Sequence, residues 1–231
     1  MRISNTDHER IAAAVAKAEV STSAEIRCVL AAETADPRPM SLALAAVFAL
    51  TLPTFALLLG FKPDALTGLF GAWSVGHLAA RDAEIVTALL VYIGLQAALF
   101  VAVLGLASLE PLRRALTPKA VVDDRVHRAA LEQFAAQGLH RTRDRTGVLL
   151  FASLADHRAE VLADEGVYAL IPKDEWQAVV AVLVSHLKRG APIEGYIAAV
   201  EKTEALLAGK LPARADDANE LPDDLVDVAR D

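Results

Sequence analysis

Two stretches of this 231-residue chain, Ser41–Phe61 and Ile85–Leu109, carry no charged side chain. About 20 apolar residues let a helix cross the roughly 30 Å of hydrocarbon in a bilayer. Core helices of soluble proteins seldom stay charge-free on every face. The two stretches therefore predict membrane-spanning helices at about 41–60 and 85–109. They also account for a mean hydropathy of +0.35, high for a chain of this length. About 40 polar-patterned residues precede the first stretch, so it does not read as a secretory signal.

The spans predict a helical hairpin. Gly94, Ala98 and Ala102 recur every four residues on the second span, and Ala45 and Ala49 on the first. Small residues at this spacing let helix backbones approach closely, within one hairpin or between two copies. Pro53 is tolerable in lipid where neighbouring groups satisfy the freed carbonyl. Neither span contains Asp, Glu, Lys, Arg or His, which disfavours a transporter or channel. Gln96 reads as a helix–helix contact. Between the spans, Trp73 and Gly68, Gly71 and Gly76 suit an interfacial or re-entrant segment over 66–80. Arg38, Arg113, Arg114 and Lys119 flank the hairpin and outnumber Lys62 and Arg81 in its loop. The positive-inside rule then places both termini in the cytoplasm of an inner-membrane protein.

The remainder patterns as α/β. Ser4 is a helix N-cap with Ile3 as a staple, and Ile11, Val15 and Ala18 follow at helical spacing. Ala24–Ala31 alternates as a strand, with Glu25 and Arg27 together on one face as a surface ion pair. Val148–Leu154 is apolar throughout, as in a strand covered on both sides. Arg158–Asp164 alternates, and Ala155-Asp156-His157 is short enough for a hairpin. Helices are expected over 122–137, from Asp174 and from Pro192, with Gly138, Gly190 and Gly209 as stops. Arg214 onward reads as an irregular acidic tail. None of these strands can stand alone. The expected organisation is one α/β domain, a small mixed sheet with flanking helices, built from 1–37 and 119–212. The hairpin at 38–118 interrupts it, and a tail at 213–231 follows.

Bulk features exclude several functions. A net charge of −7 with no basic stripe argues against nucleic acid. The single Cys28, inward on its strand, excludes an internal disulfide and a Cys-based metal cluster. The six histidines show no close ligand pair, and no elbow motif supports Ser/His/Asp catalysis. His140–Arg145 forms a basic loop, read as a solvated turn.

Several spaced blocks resemble the TPM domain. They are Ser-Ala-Glu-Ile-Arg at 23–27, Arg-Thr-Gly-Val-Leu-Leu-Phe-Ala-Ser-Leu at 145–154 and Arg-Ala-Glu-Val-Leu-Ala-Asp-Glu-Gly-Val at 158–167. Trp176, Gly-Ala-Pro-Ile-Glu-Gly at 190–195 and Asn-Glu-Leu-Pro-Asp at 219–223 complete the set. The resemblance implies a compact α/β domain with a small mixed sheet between helices. Members include thylakoid-lumen proteins linked to photosystem II repair and a nematode receptor auxiliary protein. Acid phosphatase activity and divalent-metal binding at acidic residues are attributed to the plant branch. Here the hairpin is inserted within the domain rather than appended.

The candidate site is acidic. Glu25, Asp164, Glu165, Glu220 and Asp223 are candidate ligands for Ca²⁺ or Mg²⁺, which favour carboxylate oxygens. Arg27, Arg145 and Arg158 are candidate phosphate or anion contacts. Against this stands a simpler expectation, in which Asp164 and Glu165 cap a short helix. The function expected is a membrane-tethered, non-catalytic module that binds a partner protein or a divalent ion. A metal-assisted phosphatase is the alternative, and a homo-oligomer through the small faces of the spans is a further expectation.

Overall fold

The computed structural model describes residues 3–34, 38–60, 79–107, 109, 117–214 and 219–228. The chain divides into two units, residues 1–35 with 119–231, and residues 36–118. The expected re-entrant segment at 66–80 lies almost entirely outside the described residues.

In the first unit, helix α1 (Asn5–Glu19) begins at Ser4, whose side chain accepts from the Asp7 amide. The Asp7 carboxylate reaches back to the Ser4 amide, closing a capping box. Strand β1 (Glu25–Ala31) follows. After the inserted second unit come α4 (Lys119–Ala136), a 3₁₀ turn at Leu139–Arg141, β2 (Gly147–Ser153) and β3 (Arg158–Ala163). A one-turn helix α5 (Glu165–Tyr168) leads to α6 (Lys173–Lys188) and α7 (Pro192–Leu207). Gly138 has φ +75° and Gly190 φ +72°, the left-handed conformation that ends a helix without steric cost.

The sheet has four strands in the order β3-β2-β1-β4. β1 and β2 are parallel over their full length, from Glu25↔Gly147 to Ala31↔Ser153. β2 and β3 form the antiparallel hairpin, from Val148↔Ala163 to Ser153↔Arg158. The fourth strand corrects the sequence reading. Val226–Val228 in the tail forms β4, parallel to the end of β1 through Val29↔Val226 and Ala31↔Val228. The tail is therefore part of the sheet.

Both central strands are buried on both faces, which explains their unbroken apolar run. Ile26, Cys28, Leu30, Val148 and Leu150 point into a core shared with α1, α6 and α7, which holds Ile11, Trp176, Leu183 and Tyr196. Val29, Leu149, Phe151 and Leu162 point the other way, against Val126 and Ala130 of α4 and against Leu139. The unit is thus three layers: three helices, the sheet, then α4. Tyr196, fully buried, donates its hydroxyl to the Val29 carbonyl at 2.5 Å, which satisfies a polar group that would otherwise cost stability.

The second unit contains α2 (Arg38–Leu58) and α3 (Ala79–Ala107), which pack on each other. Ala45, Ala49 and Pro53 of α2 are buried in that contact, as small residues at a close crossing should be. On α3 the expectation fails, because Gly94, Ala98 and Ala102 face outward. The α3 face that is at least partly covered carries Tyr92, Gln96, Val103 and Ala107 instead. Thr54 of α2 and Tyr92 of α3 share a hydroxyl contact at 3.2 Å, and Gln96 donates to the same Tyr92 oxygen at 3.2 Å. Gln96 thus supports the helix pair through Tyr92. Within α3, Leu89–Ala107 is long and apolar enough to span a bilayer, and Leu42–Ala56 of α2 is a shorter apolar stretch.

Candidate functional site

Strand register brings the acidic candidates to one edge of the sheet. Glu25 heads β1 opposite Gly147, which heads β2, and the Asp164 amide donates to the Gly147 carbonyl at 2.9 Å. Along this edge the candidates separate into two corners. Gly147 lies between them, and a side chain there would collide with Leu139, whose carbonyl oxygen would be 2.6 Å from its Cβ. Leu139 is therefore packed directly against the start of β2.

The first corner is built by the tail. Glu25, only 7% exposed, accepts from the amides of Glu220 and Leu221, each at 3.2 Å. Arg27, 6% exposed, donates to the Asp224 carbonyl and carboxylate, both at 2.9 Å, to the Pro222 carbonyl, and to Gln137 Oε1 at 3.2 Å. The expected surface pair between Glu25 and Arg27 is therefore not what forms. Both charges are buried, and each is satisfied by tail groups, as buried charges must be. Glu220 in turn accepts from the Arg143 amide at 2.9 Å, and Asp223 from the Asn219 side chain at 2.6 Å. A cavity of about 290 Å³ adjoins this corner, lined by Glu19, Thr22, Glu25, Arg214, Asn219 and Asp223 among others.

The second corner holds Asp164, Glu165 and Arg145. Asp164 caps α5 by accepting from the Glu165 amide at 2.8 Å. Its other oxygen is buried without a hydrogen bond, with Arg145 Nε at 3.9 Å. Arg145 also pairs with Glu165 at 2.7 Å, an exposed contact worth under about 1 kcal/mol. Arg145 adopts φ +56°, and the turn it makes brings the Asp144 and Arg145 carbonyls onto Gly166. A Cβ at 166 would stand 2.5 Å from the Asp144 oxygen, which is why Gly follows Asp164-Glu165.

Arg158 belongs to neither corner. It starts β3, about 20 Å from Asp164 at ordinary strand rise, and bonds Asp123 of α4 at 2.8 Å. That far edge has its own polar group, in which Asp156 accepts from Thr34 at 2.7 Å and from Ser153 at 2.6 Å. His127 of α4 meets Glu160 there at 2.5 Å. The chain leaves this unit after β1 and returns at α4.

Glu25 and Glu220 accept from backbone amides and Asp223 from the Asn219 side chain, while Asp164 caps α5 with one oxygen and has no hydrogen bond to the other. Among the described residues no group of three His, Cys, Asp or Glu side chains is arranged to hold a metal. Burial pushes the Cys28 thiol far above its usual range, so it stays protonated and unreactive. Burial likewise raises the Tyr196 hydroxyl, which remains a donor.

Sequence reasoning missed Gln137, Asp224 and Leu225, the last fully buried in the main core. Their one sequence signal was Leu225 followed by Val226 and Val228 alternating with Asp227, a short strand pattern.

Residues 114–206 match the TPM domain family. The matched stretch covers α4 to α7 with β2 and β3. It omits β1 and β4, which complete the sheet from either side of it in sequence. No curated protein sequence matches the chain. Among solved structures, the NMR structure of the BA42 protein from the psychrophilic bacterium Bizionia argentinensis matches with a TM-score of 0.55. That likeness covers 99% of this chain and 97% of that one at 15% identity, and is one of fold.

Proposed function

We propose that the chain is a membrane-tethered, non-catalytic module whose α/β unit presents a surface to a partner protein at the cytoplasmic face of an inner membrane. The observation that carries the non-catalytic reading is how the acidic candidates are spent. Glu25 and Glu220 receive backbone amides and Asp164 caps a helix, so their charge holds the fold together. Asp164 keeps one oxygen without a hydrogen bond, which makes Asp164→Asn the variant that tests this reading.

The tether is the hairpin. Leu50, Phe55, Leu90 and Val101 are each more than 60% exposed, a surface that water disfavours and lipid accepts. Flanking Arg and Lys favour the cytoplasmic orientation. The corner built by Glu25, Arg27 and residues 220–224 is the surface proposed to meet the partner. The outward Gly94, Ala98 and Ala102 face is where two copies would pack.

A generic phosphate ester assayed with purified protein and Mg²⁺ or Ca²⁺ tests the catalytic alternative. Turnover at the buffer level is expected. Metal-dependent turnover that disappears in Asp164→Asn would overturn the non-catalytic reading. A reporter fused to the C-terminus tests orientation, with a cytoplasmic signal expected and a periplasmic one contradicting it.

A further inference from the structure

The tail is held as a bound peptide is held. Four of its residues, Glu220, Leu221, Pro222 and Asp224, are gripped through main-chain groups by Glu25 and Arg27. Leu225 fills a pocket in one core, while Leu221, Val226 and Val228 lie against the other. β4 then adds a strand to the β1 edge, as in strand-addition recognition. Main-chain bonds supply the grip, and the Leu225 pocket with the Arg27–Asp224 pair supplies selectivity.

The hold is also shallow at its end. β4 pairs with only three of the seven β1 residues, in the parallel geometry that is slightly less stable per residue. It is only half buried. Short exposed edges open at a small fraction of the global unfolding free energy. The preceding chain is fixed separately, by the Thr22↔Pro212 bridge and the Arg214–Asp144 pair. Release of 219–228 therefore uncovers Leu225's place and the Glu25 and Arg27 partners, which an incoming copy of the same segment restores.

We propose that the β1 edge is an exchangeable strand-acceptor groove, and that residues 219–228 of a second copy occupy it in place of the chain's own. The occupant is chosen by complementarity, since this segment already satisfies every element of the groove. The contacts are the same in trans as in cis, so exchange costs little beyond the connection. The exchange rests on the tail's grip alone and needs neither the membrane nor the non-catalytic reading.

The test uses the full chain in detergent. Ala31 and Val228 are register partners. The double variant Ala31→Cys with Val228→Cys is expected to close within one chain on oxidation. Native Cys28 is buried and does not compete. Mixing the Ala31→Cys single variant with the Val228→Cys single variant is expected to give a covalent dimer that neither gives alone. Closure of the double variant without any dimer in the mixture would overturn the proposal. A labelled peptide of residues 219–231 gives a second readout that needs no disulfide. It is expected to bind the wild-type chain, and its Leu225→Asp form is not. Binding of neither peptide, or equal binding of both, would contradict the groove.

Discussion

The two units bury opposite kinds of side chain. The α/β unit hides its largest apolar groups, Tyr196, Phe151, Ile26 and Leu150, and leaves most of its charge outside, Glu25 and Arg27 excepted. The hairpin hides Ala45, Ala49 and Ala107 and turns Val47, Leu50, Phe55, Leu58, Leu90 and Val101 outward. In water the hydrophobic effect drives the first arrangement and forbids the second over so large a surface. In the proposed membrane location that drive is absent between the helices, and close packing of small residues takes its place. One chain thus carries two inside–outside rules, each legible in which residue size lies at the contact.

The sharpest way to break this contrast is to make the same substitution in both units. Phe151→Ala, in the buried core, is expected to cost about 3–5 kcal/mol. Phe55→Ala, in the hairpin, removes a side chain from a 61% exposed position and is expected to cost under about 1 kcal/mol. Denaturant unfolding of the full chain in detergent, followed through buried Trp176, measures both. Equal losses would mean that the hairpin is a conventional core.

Next in size is the tail. Leu225→Ala is expected to destabilise the α/β unit by about 2–5 kcal/mol. Arg27→Ala should cost about 1.5–3 kcal/mol, the range for hydrogen bonds to a charged group. An irregular tail would give values near zero in the same unfolding experiment. Gly147→Ala, which pushes on Leu139, should cost about 1–3 kcal/mol through overpacking. That loss would confirm the close approach of Leu139 to the start of β2.

Much of this was readable before any coordinates. Ser4, the alternation of β3 and the unbroken apolar run of β2 reported their local structure, because capping and periodicity act within a few residues. The charges did not report theirs. Glu25 and Arg27 alternate with apolar neighbours as a surface pair would, and only contacts to residues 220–224 bury them. Those contacts span about 195 positions, far beyond any periodicity. The tail's acidic composition likewise hid a three-residue strand. Gly94, Ala98 and Ala102 form the small face that their spacing predicts, but of the two neighbours expected for it α2 is not the one that covers it, since spacing fixes a face and not its partner.

The smallest effect expected is electrostatic. The Ser4 hydroxyl and amide hold the Asp7 carboxyl below the usual carboxylate range. A depressed carboxyl stabilises the fold above its unfolded pKa, and the contribution is lost as pH falls through the folded value. An NMR titration should show Asp7 returning toward the ordinary carboxylate value in Ser4→Ala, with α1 otherwise intact.

The contrast between the units is tested most directly by thiol labelling in native membranes with a water-soluble maleimide. Phe55→Cys and Leu90→Cys stand at positions 61% and 63% exposed, and Leu131→Cys and Tyr168→Cys at positions 47% and 45% exposed. If the hairpin lies in lipid, the first pair stays unlabelled until detergent and denaturant are added, while the second pair reacts at once. Prompt labelling of all four would contradict a membrane-embedded hairpin.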